Sequence, residues 1–446
     1  MDAGYGIATD GLGNSIISGK FTGSSTFGSG TTPLFSAGGF DVFVAKYDVR
    51  GELLWARQAG GPGDDQAYGI ATDGVGNSIL TGRFMGTAGF GGDYITSEGG
   101  SVDIFLAKYD ASGEVVWVKQ AGGTDEDQGF SVATDGIGNI LVTGRFRGQA
   151  DFDSTQKYSA GNSADIFIAK YDLNGNLVWV KQAGGMGHDE GLGIAADAQG
   201  NSFVTGRFEG EALFETTTLI STEASDDIFI AKYDVHGNLV WAKKAGGSEE
   251  DCGYGIAADA YGNTSVTGKF QGEATFGATA ISSAGGADIF IARYDANGDL
   301  MWVERAGGTG DDSGSAVAAH FHGNTSVTGK FQGPATFGAK ALSGVGGTDI
   351  FIARYNVDGD LLWVDRFGGA KDDAGLDIAI DVSGNEHVVG TFQDTAGFDS
   401  SLSLSSAGEE DIFALGFTVP VGDINGDGRI GLEEAIHALQ VLSKMK

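Results

Sequence analysis

Short apolar runs, each closed by a turn rich in Asp and Gly, recur from the first residue to about residue 417. No stretch of this region repeats its apolar residues at the 3.6-residue period of a helix, so strands are predicted. In the first unit they fall at 5–10, 14–21, 42–48 and 53–58, here called strands a, b, c and d. The a–b and c–d connections, Asp10-Gly11-Leu12-Gly13-Asn14 and Asp48-Val49-Arg50-Gly51-Glu52, read as hairpin turns. In such turns Asp bonds local backbone and Gly supplies a positive φ. Strand c is apolar on both faces, as in Ile166-Phe167-Ile168-Ala169. That suits a sheet sandwiched between two others.

The pattern is a repeat. The six tryptophans, Trp55, Trp117, Trp179, Trp241, Trp302 and Trp363, stand 62, 62, 62, 61 and 61 residues apart. The word Asp-Ile-Phe-Ile-Ala-Lys-Tyr-Asp and its variants start at Asp41, Asp103, Asp165, Asp227, Asp288, Asp349 and Asp411. Four strands per repeat of this length predict an all-β, seven-bladed β-propeller of four-stranded blades over residues 1–417. Strand a, rich in Gly and Ala, is expected nearest the crowded axis, and strand d, with its Trp, outermost. There are seven a, b and c words but six d words, so blade seven is expected to lack its outer strand. In a circular arrangement that strand would stand just before Met1, as if the N-terminus were truncated.

These words resemble the bacterial SBBP β-propeller repeat family. The resemblance rests on Asp-Ile-Phe-Ala-Lys-Tyr-Asp-x-x-Gly-Asn-x-x-Trp followed by Gly-Ile-Ala-x-Asp-x-x-Gly-Asn-x-x-Val-Thr-Gly. It implies a propeller on a secreted or surface bacterial protein, and no particular activity.

Composition shifts at Thr418-Val419-Pro420, opening a second module over 418–446. Asp423, Asn425 and Asp427 occupy positions 1, 3 and 5 of an EF-hand loop, with Gly428 at the sharp turn. The Arg429 carbonyl stands at position 7 and Glu434 at position 12, an oxygen set that suits Ca²⁺. Residues 432–443 then read as an amphipathic α-helix. One such loop with no helix before it looks like half of a dockerin.

With 27 basic and 60 acidic residues the net charge is −33. This argues against nucleic-acid and anionic-membrane partners, and no apolar run is long enough for a membrane span. A single cysteine excludes an internal disulfide framework. Acidity, the calcium loop and the resemblance together point to an extracellular or cell-surface location, although no signal peptide is visible.

Chemistry is harder to place. Every strand a starts on an acid: Asp2, Asp65, Asp127, Asp189, Asp251, Asp312 and Asp373. Bases end strand b at Lys20, Arg83, Arg145, Arg207, Lys269 and Lys330. Bridges from these bases to the acids of strands a and c are expected, and Thr391 leaves Asp373 and Asp411 without one. His320 and His322 break the pattern of the a–b turns and are weighed as a weak metal pair against the commoner exposed-turn reading. His387 and His437 are expected to be structural. Cys252 lies beside Glu250 and Asp251, which disfavours its thiolate. No catalytic residue is assigned. The reading is a non-catalytic binding or scaffold propeller that presents a face to a protein or polysaccharide. The alternative is a carbohydrate-active enzyme or lectin-like protein with a dockerin-type tail.

Overall fold

A computed structural model describes residues 1–417 except 29, 224, 322 and 399–401. It is all-β, the one helical element among the described residues being a 3₁₀ turn at Glu98–Gly100. The first repeat pairs Ala3–Thr9, Ser15–Phe21, Asp41–Tyr47 and Leu53–Gly60 in that order, all antiparallel. Later repeats follow the same a-b-c-d order.

The a strands line the centre. Ala3–Thr9 lies beside Gln66–Thr72, which lies beside Gln128–Thr134, and the row continues to Ala374–Ile380, which lies beside Ala3–Thr9. Direct bonds close it: Thr9 Oγ1 donates to the Ile380 carbonyl at 3.0 Å, and the Ile7 N–H to Asp377 Oδ2 at 2.8 Å. The crowding that the small residues predict is real. A Cβ on Gly69 would stand 3.0 Å from the Ser131 backbone of the next strand. Between neighbouring units the c strands are buried on both faces, and Phe90 packs on Phe105 with ring centroids 5.1 Å apart.

Hydrogen bonding gathers the strands into five large sheets, not seven separate ones, plus a three-stranded and a two-stranded sheet. The long b–c connection is the reason. Six of the seven fold it into a hairpin, such as Gln149–Phe152 with Thr155–Tyr158, that pairs with strand d of the preceding repeat. In the sixth repeat, strands Thr325–Phe337 and Lys340–Tyr355 run unbroken through both the core unit and the hairpin, which fuses two units into ten strands. Strand d is therefore covered on its outer side and is not the sheet edge expected from its Trp. To its own sheet the last repeat contributes Ala374–Ile380, Glu386–Phe392 and Asp411–Phe417, with no strand d among the described residues. The second module, with Asp423, Asn425, Asp427, Arg429 and Glu434, lies outside the described residues.

Candidate binding site

The repeated acids are spent on backbone. Asp127 is fully buried and accepts the Gly123 N–H at 2.8 Å on one oxygen and the Arg147 N–H at 2.9 Å on the other. Asp65, Asp189, Asp251, Asp312 and Asp373 repeat this clamp. It ties the end of strand d to the end of strand b.

The bridges expected from the b-strand bases to the recurrent acids do not form, because of register; Arg207 reaches instead Asp226, the residue before the c-strand acid, at 2.8 Å. Arg145 stands opposite Gln128, Arg83 opposite Gln66 and Lys269 opposite Cys252. Each base thus faces the residue after the aspartate, and one step along a strand changes the face. At the corresponding place Arg207 meets Glu190, at 2.8 Å, and Arg145 reaches the same carboxylate from the neighbouring repeat at 2.6 Å. Lys20 lies over the Phe40 ring.

The c-strand acids take side chains of strand d instead. Asp41, Asp103 and Asp165 meet Gln58, Gln120 and Gln182, whereas Asp227, Asp288 and Asp349 meet Lys244, Arg305 and Arg366. Each c-strand acid also nears the next a-strand acid. A Cβ on Gly122 would lie 2.8 Å from Asp127 Oδ2 and 3.1 Å from Asp103 Oδ1. Burial pushes Asp127 up to about 8, with Asp103 adding to it, against the pull of its two N–H donors. Burial likewise holds Asp189 and Asp251 at about 7 and Asp65 and Asp312 at about 6.

These shifts have a sign. A carboxyl near 4 in the unfolded chain and at 6–8 in the fold binds more protons when folded, so stability falls as pH rises through that window. The melting temperature is expected to be higher at pH 5 than at pH 8.5. Scanning calorimetry across this range checks it, and a flat or rising profile refutes the assignment.

A second set of charges was not anticipated. Lys46, Lys108, Lys170 and Arg293 leave the apolar c strands to pair with Asp10, Asp73, Asp135 and Asp259 of the a–b turns, at 2.7–3.0 Å and almost wholly buried. The base within the apolar c word of the first six repeats was the available signal. In the sixth repeat His320 replaces the turn Asp, and Arg354 turns to Glu386 of the next repeat at 2.8 Å. His320 Nε2 meets Ser326 Oγ at 2.7 Å and Glu386 Oε1 at 3.2 Å. Both contacts use one ring nitrogen and Ser326 is fully buried. A nucleophilic relay needs both ring nitrogens and an accessible hydroxyl, so this cluster is structural. His322 and His437 lie outside the described residues. His387 bonds Ser15 at 2.9 Å. Burial pushes the Cys252 thiol up to about 12. Among the described residues no group of three or more His, Cys, Asp or Glu is placed to hold a metal, and no helix is long and apolar enough to cross a membrane.

A large cavity lined by described residues lies where the repeat is broken. It is a cleft of about 970 Å³ between the last repeat and the first. Ile412, Ala414 and Gly416 of the last c strand form one wall, and Tyr47, Val49 and Gly51 of the first c–d turn form the other.

The chain is 24% identical over 488 aligned residues to the uncharacterized WD repeat-containing protein L264 of Acanthamoeba polyphaga mimivirus, over 88% of this chain and 35% of that protein. It is 29% identical over 177 residues to the regulatory protein FlaEY of Caulobacter vibrioides, over 38% of this chain and 18% of that protein. The chain thus spans about a third or less of the length of these relatives. Among solved structures, Sqt1 of Chaetomium thermophilum aligns over 92% of this chain and 87% of its own, at 10% identity and a TM-score of 0.43. The family profile for the SBBP beta-propeller repeat matches residues 54–83, so that stretch, from strand d of the first repeat to strand b of the second, is similar to an SBBP-type propeller repeat.

Proposed function

We propose that this chain is a non-catalytic binding or scaffold propeller whose seven repeats act as seven blades around one axis. The closed row of a strands supports that count even though hydrogen bonds run on between units. The observation that carries the function is where the side chains are spent. The recurrent acids clamp backbone or pair with bases inside the sheets, and the large cleft sits at the one break in the repeat. A glycan and peptide array run beside hydrolysis assays on the same compounds tests this. Binding without turnover supports it, and turnover abolished by a point substitution refutes it.

On this reading the protein works outside the cell or on its surface, and residues 418–446 form a separate calcium module. Its support is the donor set: carboxylates of Asp423, Asp427 and Glu434, the Asn425 amide and the Arg429 carbonyl are the hard oxygens that Ca²⁺ takes. Affinity in the range of extracellular modules, about 10⁻⁴–10⁻³ M, is expected. Calorimetric titration of calcium should give heat with the wild type and none with Asp427→Ala. Equal heats from both would remove the loop as the site.

A further inference from the structure

We propose that the cleft between the last and first repeats is an acceptor groove for an extended peptide strand of the pattern Leu-x-Trp-x-x-(Gln/Lys/Arg)-Ala-Gly-Gly, the sequence of four of the chain's own six strands d. This deepens the binding-propeller reading and rests on it.

Four features of the groove are the negative image of such a strand. The first is an open edge. In six repeats strand c is paired on its outer side, with Lys46 opposite Trp55, Lys170 opposite Trp179 and Arg354 opposite Trp363. Asp411–Phe417 pairs, among the described residues, with Glu386–Phe392 alone. Ala414 and Gly416 are exposed where Ile168 and Lys170 of the third repeat are buried. An unpaired row of N–H and C=O groups is a template for strand addition.

The second is a seat for an indole. Each Trp of the first five repeats lies against the c–d turn glycine of the next repeat. A Cβ on Gly113, Gly237, Gly298 or Gly359 would stand 2.7–2.9 Å from the indole of Trp55, Trp179, Trp241 or Trp302. The Nε1–H of those four donates to the turn carbonyls of Ala111, Val235, Ala296 and Val357 at 2.9–3.3 Å. The equivalent turn of the first repeat has the same backbone, with Gly51 at φ 79° against 83° at Gly113. Yet nothing among the described residues comes within 4 Å of a Cβ position on Gly51. Gly51 and Val49 open into the cleft.

The third and fourth features are carboxylates. Three residues after each Trp, a Gln, Lys or Arg reaches the c-strand acid, as Gln182 reaches Asp165 at 2.7 Å. Asp411 stands at that place in the cleft, where it accepts the Ala407 N–H. Six residues after each of the first two Trp, a backbone N–H meets the a-strand acid, as Gly123 meets Asp127. Asp2 lines the cleft at that place, accepts the Thr22 N–H as its counterparts accept theirs, and takes the Ser25 hydroxyl on its other oxygen. Edge, indole seat and both carboxylates thus recur in the spatial order that six strands of this chain already satisfy.

The test uses the full chain and a synthetic peptide of residues 176–185, Asn-Leu-Val-Trp-Val-Lys-Gln-Ala-Gly-Gly. Fluorescence anisotropy should show one peptide per chain, with the Trp→Ala peptide at least thirtyfold weaker, as for a buried aromatic anchor. A photoreactive residue in place of the peptide Trp should crosslink within residues 48–52. Equal binding by the two peptides overturns the assignment, as do crosslinks elsewhere. So does absence of binding, whether residues 418–446 or a second copy fill the groove. Glycan or protein binding that persists without peptide binding would end this inference and leave the binding-propeller reading standing. Turnover in the hydrolysis assay would end that reading and leave the peptide result to be judged by its own arms.

Discussion

Glu386→Ala is expected to destabilise the chain by about 3–5 kcal/mol, the cost of removing one member of a buried ion pair. Arg354 is 2% exposed and Glu386 fully buried, and the guanidinium donates from Nε at 3.0 Å and from Nη2 at 2.8 Å to the same carboxylate oxygen. The preceding repeat shows what this pair replaces. There Arg293 meets Asp259 of its own a–b turn at 2.7 Å, and Thr325 of the next b strand stands beside it. In the sixth repeat the turn carboxylate has become His320, and the next b strand brings Glu386 where Thr325 stood. One negative charge has moved across the gap between two units while the base stayed in place. The double variant His320→Asp, Glu386→Thr should therefore recover most of the stability lost by Glu386→Ala, because it rebuilds the neighbouring arrangement. Chemical denaturation of the variants decides it. A single-variant loss below about 1 kcal/mol would place the pair among weak, solvent-screened contacts. Failure of the double variant would mean that the two environments are not interchangeable.

Much of the fold was legible because each repeat writes its strands in the same order. The a, b, c and d strands of the first repeat begin and end within about two residues of the apolar runs, and the Gly- and Ala-rich strand does line the centre. What failed was pairing that no single repeat contains. The hairpin in the b–c connection belongs by hydrogen bonding to the neighbouring unit, so nothing local revealed its partner. A phenylalanine recurring at positions 90, 152, 214, 276 and 337 was the trace it left. The bridges from strand b failed by one residue. Asp127 and Gln128 are adjacent in sequence but on opposite faces, and only the observed register shows that Arg145 looks at Gln128. The absence of a seventh d word was plain in the sequence. The shape it leaves was not, because the cleft is built from Asp2, Gly51 and Asp411, which lie far apart along the chain.

Gly144→Ala is expected to cost more than the ~1–3 kcal/mol of ordinary overpacking. Gly144 lies in strand Ile140–Arg147, where strand a bulges between Gly129 and Ser131. A Cβ there would sit 1.9 Å from the Gln128 carbonyl oxygen and 2.8 Å from the Phe167 ring. The first obstacle is backbone, held in the a–b ladder, and the second is a fully packed core residue, so neither can step aside. Relief would require strand a to part from strand b at the most crowded part of the repeat, beside the Asp127 clamp. The same approach occurs at Gly82, Gly206 and Gly268, each 1.9 Å from the a-strand carbonyl opposite. The demand therefore belongs to the repeat and not to one site. Gly136→Ala is the matched control. It adds the same methyl group in an a–b turn of the same repeat, where the nearest atom, the Ala198 carbonyl, is 3.8 Å away. Its effect should stay within about 0.5 kcal/mol, as for most surface substitutions. Thermal melts of the two variants against the parent check the pair. If Gly144→Ala melts with Gly136→Ala, the close approach of strands a and b is looser than the structure makes it.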